Sequence, residues 1–364
     1  MKHIEARHID DLARGSVFLA TGGGGDPHLH QIIAKAALDR FGPVPTVQPE
    51  DLDDDAFVVP IGGVGAPTVG LELLPSLAET VDTLSAFERH VGRRADAIAS
   101  FEIGGGNSLV PLVAAAARGV PVVDGDGMGR AFPEAQMMTY PIAGVRPTPA
   151  LAMDYAGNTA AFSTESTAVY EVHIRSFAAA AGGMITVAEH AMSGAQLKKA
   201  VIPGTLSFTV ELGRTLREHR GPASDVLDPL RAAFEPTPYG VVRRLFSGKV
   251  IDKSTRIIGG YDIGEATLED FDNPQRQLTI NIKNEYLIAR ERDKVLATVP
   301  DLIVTVDQET STPVNCERLR YGQRVTVFGV GCPPFYRSKA ALAVVAPRCF
   351  GFDLDYVPLD QITP

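Results

Sequence analysis

Four short apolar segments in the first part of the chain run straight into glycine-rich turns, and this pattern limits the fold more than any other feature. Residues 17–20 (Val-Phe-Leu-Ala) meet Thr21-Gly22-Gly23-Gly24-Gly25-Asp26-Pro27, and residues 56–61 meet Gly62-Gly63. Residues 97–103 meet Gly104-Gly105-Gly106-Asn107, and residues 120–123 meet Asp124-Gly125-Asp126-Gly127. Helical stretches such as 28–40 lie between them. Alternating strand, tight turn and helix is the pattern of an α/β layer. Ligands in such sheets sit beyond the carboxyl ends of the strands, where glycine lets backbone N–H groups approach. The four turns are therefore expected to share one site. The competing reading is that each glycine only ends its own strand tightly.

Residues 166–235 look mostly helical, with breaks at Pro203-Gly204 and Gly221-Pro222. From about Gly240 the pattern becomes period-two alternation, as in Leu278-Thr279-Ile280-Asn281-Ile282 and Arg324-Val325-Thr326-Val327, which predicts half-buried strands. A length of 364 residues suits two domains. The expected architecture is an α/β amino-terminal domain over residues 1–167 with glycine-rich strand-end loops. A carboxy-terminal domain over 168–364 follows, helical to about 235 and mostly β after that.

Charge removes some classes of partner. Thirty-four basic against forty-four acidic residues give a net charge of -10, with no Lys/Arg run to neutralise a phosphate backbone, so nucleic acid is not expected as a partner. The apolar stretch 109–123 contains Pro111 and Arg118 and falls short of a membrane span. The first fifteen residues alternate charged and apolar positions without a leader pattern, and the expected location is the cytoplasm. Size and acidic charge leave room for a homo-oligomer. Cys316, Cys332 and Cys349 include no Cys-x-x-Cys pair and are expected to be reduced, structural thiols.

The candidate site residues lie at the turns. Glu102 closes an apolar segment, an odd place for a charge unless it serves a site or a buried partner. The stretch 124–134 places Asp124, Asp126, Arg130 and Glu134 within eleven residues, interleaved with glycines. Neighbouring carboxylates can drive one pKa up while the other stays ionised, which yields an acid and a base from one side-chain type. Chemistry on an organic substrate ranks first for this set, a structural Asp–Arg–Glu network second, and a divalent metal held by Asp124, Asp126 and Glu134 third. No cofactor is otherwise expected. The tetraglycine loop lacks the end of a P-loop, and Asp26 suits a helix cap slightly better than a ligand. His28 and His30 fall on the start of a helix, where their side chains diverge, so they are not expected to bind metal.

At these residues the chain resembles the S-methyl thiohydantoin desulfurase family. The likeness rests on the loop 20–27, Gly65-Ala66-Pro67-Thr68, the turn 102–108 and the stretch 124–134. It continues through 199–205, 319–325 and 347–358, so it spans essentially the whole chain. The resemblance implies the same two-domain build and hydrolysis at C2 of an S-methylated thiohydantoin, releasing methanethiol and leaving a hydantoin. One of Asp124, Asp126 or Glu102 would take a proton from water while a second carboxylate binds the ring nitrogen. Gly23, Gly24, Gly25, Gly105 and Asn107 would hold the ring carbonyl, with Asp26 and Glu134 beside them, and Arg130 would bind a substrate carboxylate or brace the acids. Two other readings stand beside this one: a different hydrolase or lyase of a hydantoin-like ring or amide, and a non-catalytic protein that binds a small metabolite.

Overall fold

The computed structural model describes residues 1–362, so the last two positions of the expected carboxy-terminal domain lie outside the described residues. The amino-terminal half is built on a mixed sheet whose centre is parallel. The strands Val44–Val47, Val122–Asp126, Ala97–Ser100 and Phe57–Gly65 lie side by side in that order, all parallel. Helices α1 (Ile9–Leu19), α2 (His28–Phe41), α3 (Leu77–Val91) and α4 (Val110–Arg118) belong to the same half, and α4 packs against α2, α3 and the sheet. The buried pattern of the Ala97–Ser100 strand, with every residue inside, fits a parallel strand covered on both faces.

Beyond Phe57–Gly65 the sheet turns antiparallel through Met184–Ala188, Ala150–Met153 and Thr159–Phe162. Met184–Ala188 falls within the stretch read from sequence as a helical connection, so that connection returns one strand to the first sheet.

The apolar segment 17–20 is not a strand. It is the end of α1, whose buried Ile9, Leu12, Ala13 and Ser16 recur at helical spacing. Four residues were too few to show this period. Helix α1 crosses the Thr205–Glu218 helix so closely that a Cβ at Gly15 would sit 2.0 Å from the Thr209 carbonyl oxygen. The tetraglycine loop therefore joins two helices.

The carboxy-terminal half is an eight-stranded antiparallel sheet. Its order is Lys294–Thr298, Glu285–Glu291, Gln277–Lys283, Tyr261–Asp270, Val242–Ile258, Arg324–Val330, Leu302–Asp307 and Pro313–Val314. Period-two alternation does the work expected of it: Leu278, Ile280 and Ile282 are buried, while Thr279, Asn281 and Lys283 are only partly so. Phe246, Val250, Leu268, Val325 and Val327 join them in a core separate from the main one.

Candidate functional site

Three of the four expected glycine turns meet at the carboxyl end of the parallel strands, although Gly62 and Gly63 lie inside the strand Phe57–Gly65 and Asp124–Asp126 inside Val122–Asp126, where a turn was expected. The Gly106 amide donates to the Gly24 carbonyl at 2.9 Å. Gly24 and Gly105 both have positive φ, and a Cβ at Gly105 would lie 2.1 Å from the Gly24 oxygen, so this contact admits no side chain. Asn107 ties in the third turn. Its Oδ1 accepts from the Gly63 amide at 2.6 Å, and its Nδ2 donates to the Gly63 carbonyl at 3.1 Å and to Glu102 Oε1 at 2.9 Å.

The carboxy-terminal sheet closes the site from the other side. Asn284, with φ of 57°, makes the tight turn between the strands Gln277–Lys283 and Glu285–Glu291. The turn docks on the tetraglycine loop: the Tyr286 amide donates to the Thr21 carbonyl and the Cys316 amide to the Gly22 carbonyl, both at 2.7 Å. This puts the Glu285 carboxyl against Gly23, where a Cβ would be 2.0 Å from Oε1.

The resulting cleft is lined by residues of both halves of the chain. Phe101, Phe132, Met138 and Ile174 supply apolar walls, and Glu102, Glu285 and Glu189 stand among them. The other charges lining it are paired. Glu171 accepts from Arg175 and from the Tyr261 hydroxyl, Glu134 pairs with Lys283, and Asp26 pairs with Arg318.

Glu102 is 4% exposed, and burial pushes its carboxyl up to about 8 against the opposing bonds from Asn107 and the Phe132 amide. Glu285 is also raised, by burial first and then by the charge of Glu102, with Arg130 opposing. Its Oε2 is buried without a hydrogen-bond partner. These are the conditions under which a carboxylic acid stays protonated near neutral pH.

The sequence-derived candidates divide into three groups. Glu102, Asn107, Gly24, Gly25, Asp26 and Glu134 line the cleft, and Gly23 and Gly105 support it from behind. Pro27, not Asp26, holds the N-cap position of α2, and Asp26 Oδ1 accepts from the His28 amide at 2.9 Å from one residue earlier. Asp124, Asp126 and Arg130 are not among the described residues that line the cleft.

Asp124 faces elsewhere, accepting from Gln48 Nε2 at 3.0 Å and the Ser207 amide at 2.9 Å. Asp126 lies beneath the cleft, its Oδ2 receiving the amides of Ile103, Met128 and Gly129 at 2.8–3.0 Å, and burial pushes it up to about 6. Arg130 is fully buried and donates to the carbonyls of Ala131, Pro300 and Asp301 and to Thr21 Oγ1, which leaves it no free edge for a substrate carboxylate. Its charge favours the ionised form of both Glu102 and Glu285.

Asp124, Asp126 and Glu134 go to separate partners. Among the described residues no group of three or more His, Cys, Asp or Glu side chains is placed to hold a metal ion. The three cysteines are free thiols, and burial pushes Cys332 up to about 12. Among the described residues no helix is long and apolar enough to cross a membrane.

Glu285, Glu189 and Arg175 were not singled out in the sequence. A signal for two of them was present, since Glu285 opens and Glu189 follows an apolar strand, the same criterion that marks Glu102.

Fold and cleft together define a two-domain protein, an α/β layer and an antiparallel sheet with buried carboxyl groups where they meet. The chain belongs to the S-Me-THD-like family, whose N-terminal domain matches residues 7–164 and whose C-terminal domain matches residues 165–359. It is also similar to a crystal structure of a protein from Chromobacterium violaceum, 26% identical, with a TM-score of 0.81 over 99% of this chain and 100% of that one. No curated protein matches the sequence.

Proposed function

We propose that the protein hydrolyses an S-methylated thiohydantoin or a closely related ring, releasing methanethiol and leaving the hydantoin. One observation carries this reading: Glu102 and Glu285 are buried carboxyl groups from different halves of the molecule, and they line one cleft and interact. Two such groups do not both ionise near neutral pH, so one serves as acid and the other as base. Glu285, buried with Oε2 unpartnered, holds the proton. Glu102, whose anion is steadied by Asn107 and the Phe132 amide, is the base in its ionised form, which becomes the majority only above about pH 8.

The step balances as follows. Water oxygen bonds to C2 while Glu102 takes one of its protons and Glu285 gives its own proton to the ring nitrogen. The C2–S bond then breaks as the carbonyl forms. The departing sulfur takes the proton from Glu102, and the former water's second proton returns to Glu285. Phe101 and Phe132 supply flat apolar faces for a planar ring, and Gly24, Gly25 and Gly63 leave room beside it.

The test is thiol release from an S-methyl thiohydantoin by the purified protein. Turnover is expected, and Glu285→Gln is expected to lose at least about a hundredfold with its melting temperature kept. No release from the unaltered protein would overturn the reading.

A further inference from the structure

We infer that Glu189 is a substrate-binding residue that accepts a ring N–H. This inference rests on the hydrolase reading and deepens it, because it names what the cleft recognises in the ring. Glu189 is 0% exposed and follows the Met184–Ala188 strand, with its amide donating to the Pro60 carbonyl at 3.2 Å. Its side chain lines the cleft beside Phe101, Met138 and Ile174.

One carboxylate oxygen is satisfied and the other is not. The Tyr170 hydroxyl, from the Thr167–Ala180 helix, donates to Oε2. Oε1 is buried and has no hydrogen-bond partner. His190 Nδ1 stands 3.3 Å from it without the alignment of a hydrogen bond, and both nitrogens of that ring are themselves unpartnered. Arg175, in the same cleft, is engaged by Glu171.

A buried carboxylate oxygen with no donor is costly to leave unmade, and a ligand N–H that reaches it removes that cost. Carboxylate oxygens accept and do not donate, so the complementary group is a donor. A hydantoin-type ring carries N–H groups on its edge and apolar faces above and below, which matches one acceptor set among Phe101, Met138 and Ile174. Tyr170 fixes the carboxylate's orientation through Oε2, leaving Oε1 for the ring.

The experiment is calorimetric binding of hydantoin and of its 1-methyl and 3-methyl derivatives, none of which carries the methylthio leaving group. The unaltered protein is expected to bind hydantoin at least about tenfold more tightly than one of the two methyl derivatives, since methylation removes the N–H. Glu189→Leu is expected to lose a similar factor on hydantoin and to stop discriminating against that derivative. Glu189→Gln, which keeps the volume and removes the charge, is expected to fall between them and serves if the leucine variant does not fold. A folded Glu189 variant with unchanged affinity and unchanged discrimination would overturn the assignment and leave the hydrolase reading standing. Failure of the unaltered protein to bind any of the rings would overturn both.

Discussion

The stretch 124–134 and the hairpin tip at Glu285 both bury carboxyl groups near the cleft, and they use them in opposite ways. Asp126 gives Oδ2 to three backbone amides that shape the turn below the cleft, and its Oδ1, though also buried without a partner, does not line the cleft. Glu285 leaves Oε2 without a partner and lines the cleft itself. A carboxylate filled by backbone donors is a scaffold. One with an unfilled oxygen facing a cavity is available to a ligand. Density of acidic residues along the chain does not separate these cases, and neither does an unpartnered oxygen alone; a place in the cleft lining does.

The widest gap between the two regions should appear in turnover. Glu102→Gln is expected to lower it by roughly 10²–10⁴-fold, the usual worth of a positioned acid or base. The same variant carries a pH signature. Glu102 sits at about 8 when folded against an ordinary carboxylate value of 4.5, so the folded protein keeps a proton that the unfolded chain has released. That contribution to stability is complete below about pH 4.5 and is lost as pH rises through about 8. Melting curves should therefore show Glu102→Gln gaining on the unaltered protein across that window. Parallel curves would mean that Glu102 ionises normally.

The scaffold side of the comparison is broken by Asp126→Ala, which strands three buried amides and should cost about 3 kcal/mol or more in denaturant unfolding. Asp126→Asn keeps an oxygen for those amides and should leave turnover within a few fold. A large loss in a well-folded Asp126→Asn would return this residue to the chemistry. The smallest effect is expected from Asp124→Asn, with turnover changed less than about threefold, because its two partners lie away from the cleft. Kinetics at saturating substrate checks both.

Much of the fold was legible because periodicity is local. Leu278, Ile280 and Ile282 declare a one-sided strand, and the turn at Gly104 follows a real strand, whereas Gly62 and Gly63, read as a turn, lie inside the strand Phe57–Gly65 and pair with Val187 and Thr186. Segment 17–20 misled because four apolar residues have no period of their own, and the helix shows only when Ile9, Leu12 and Ala13 are included. Within the site, Glu102 and Asn107 could be found because they adjoin a glycine turn. Glu285 and Glu189 come from strands far along the chain, and their arrival at the same cleft depends on how the second sheet docks and on the return of Met184–Ala188 to the first. Arg130 was read as substrate-facing because sequence shows its charge and conceals the carbonyls that surround it.

Those carbonyls give Arg130 a second consequence. Its guanidinium is held by the oxygens of Pro300 and Asp301 on one side and by Thr21 on the other. A nascent chain whose second sheet has yet to dock leaves this cation without two of its acceptors, and a buried charge stripped of partners is strongly disfavoured. Docking is thereby driven toward all or none. The amino-terminal layer and the second sheet therefore close over Arg130 together with its acceptors, or leave it in water.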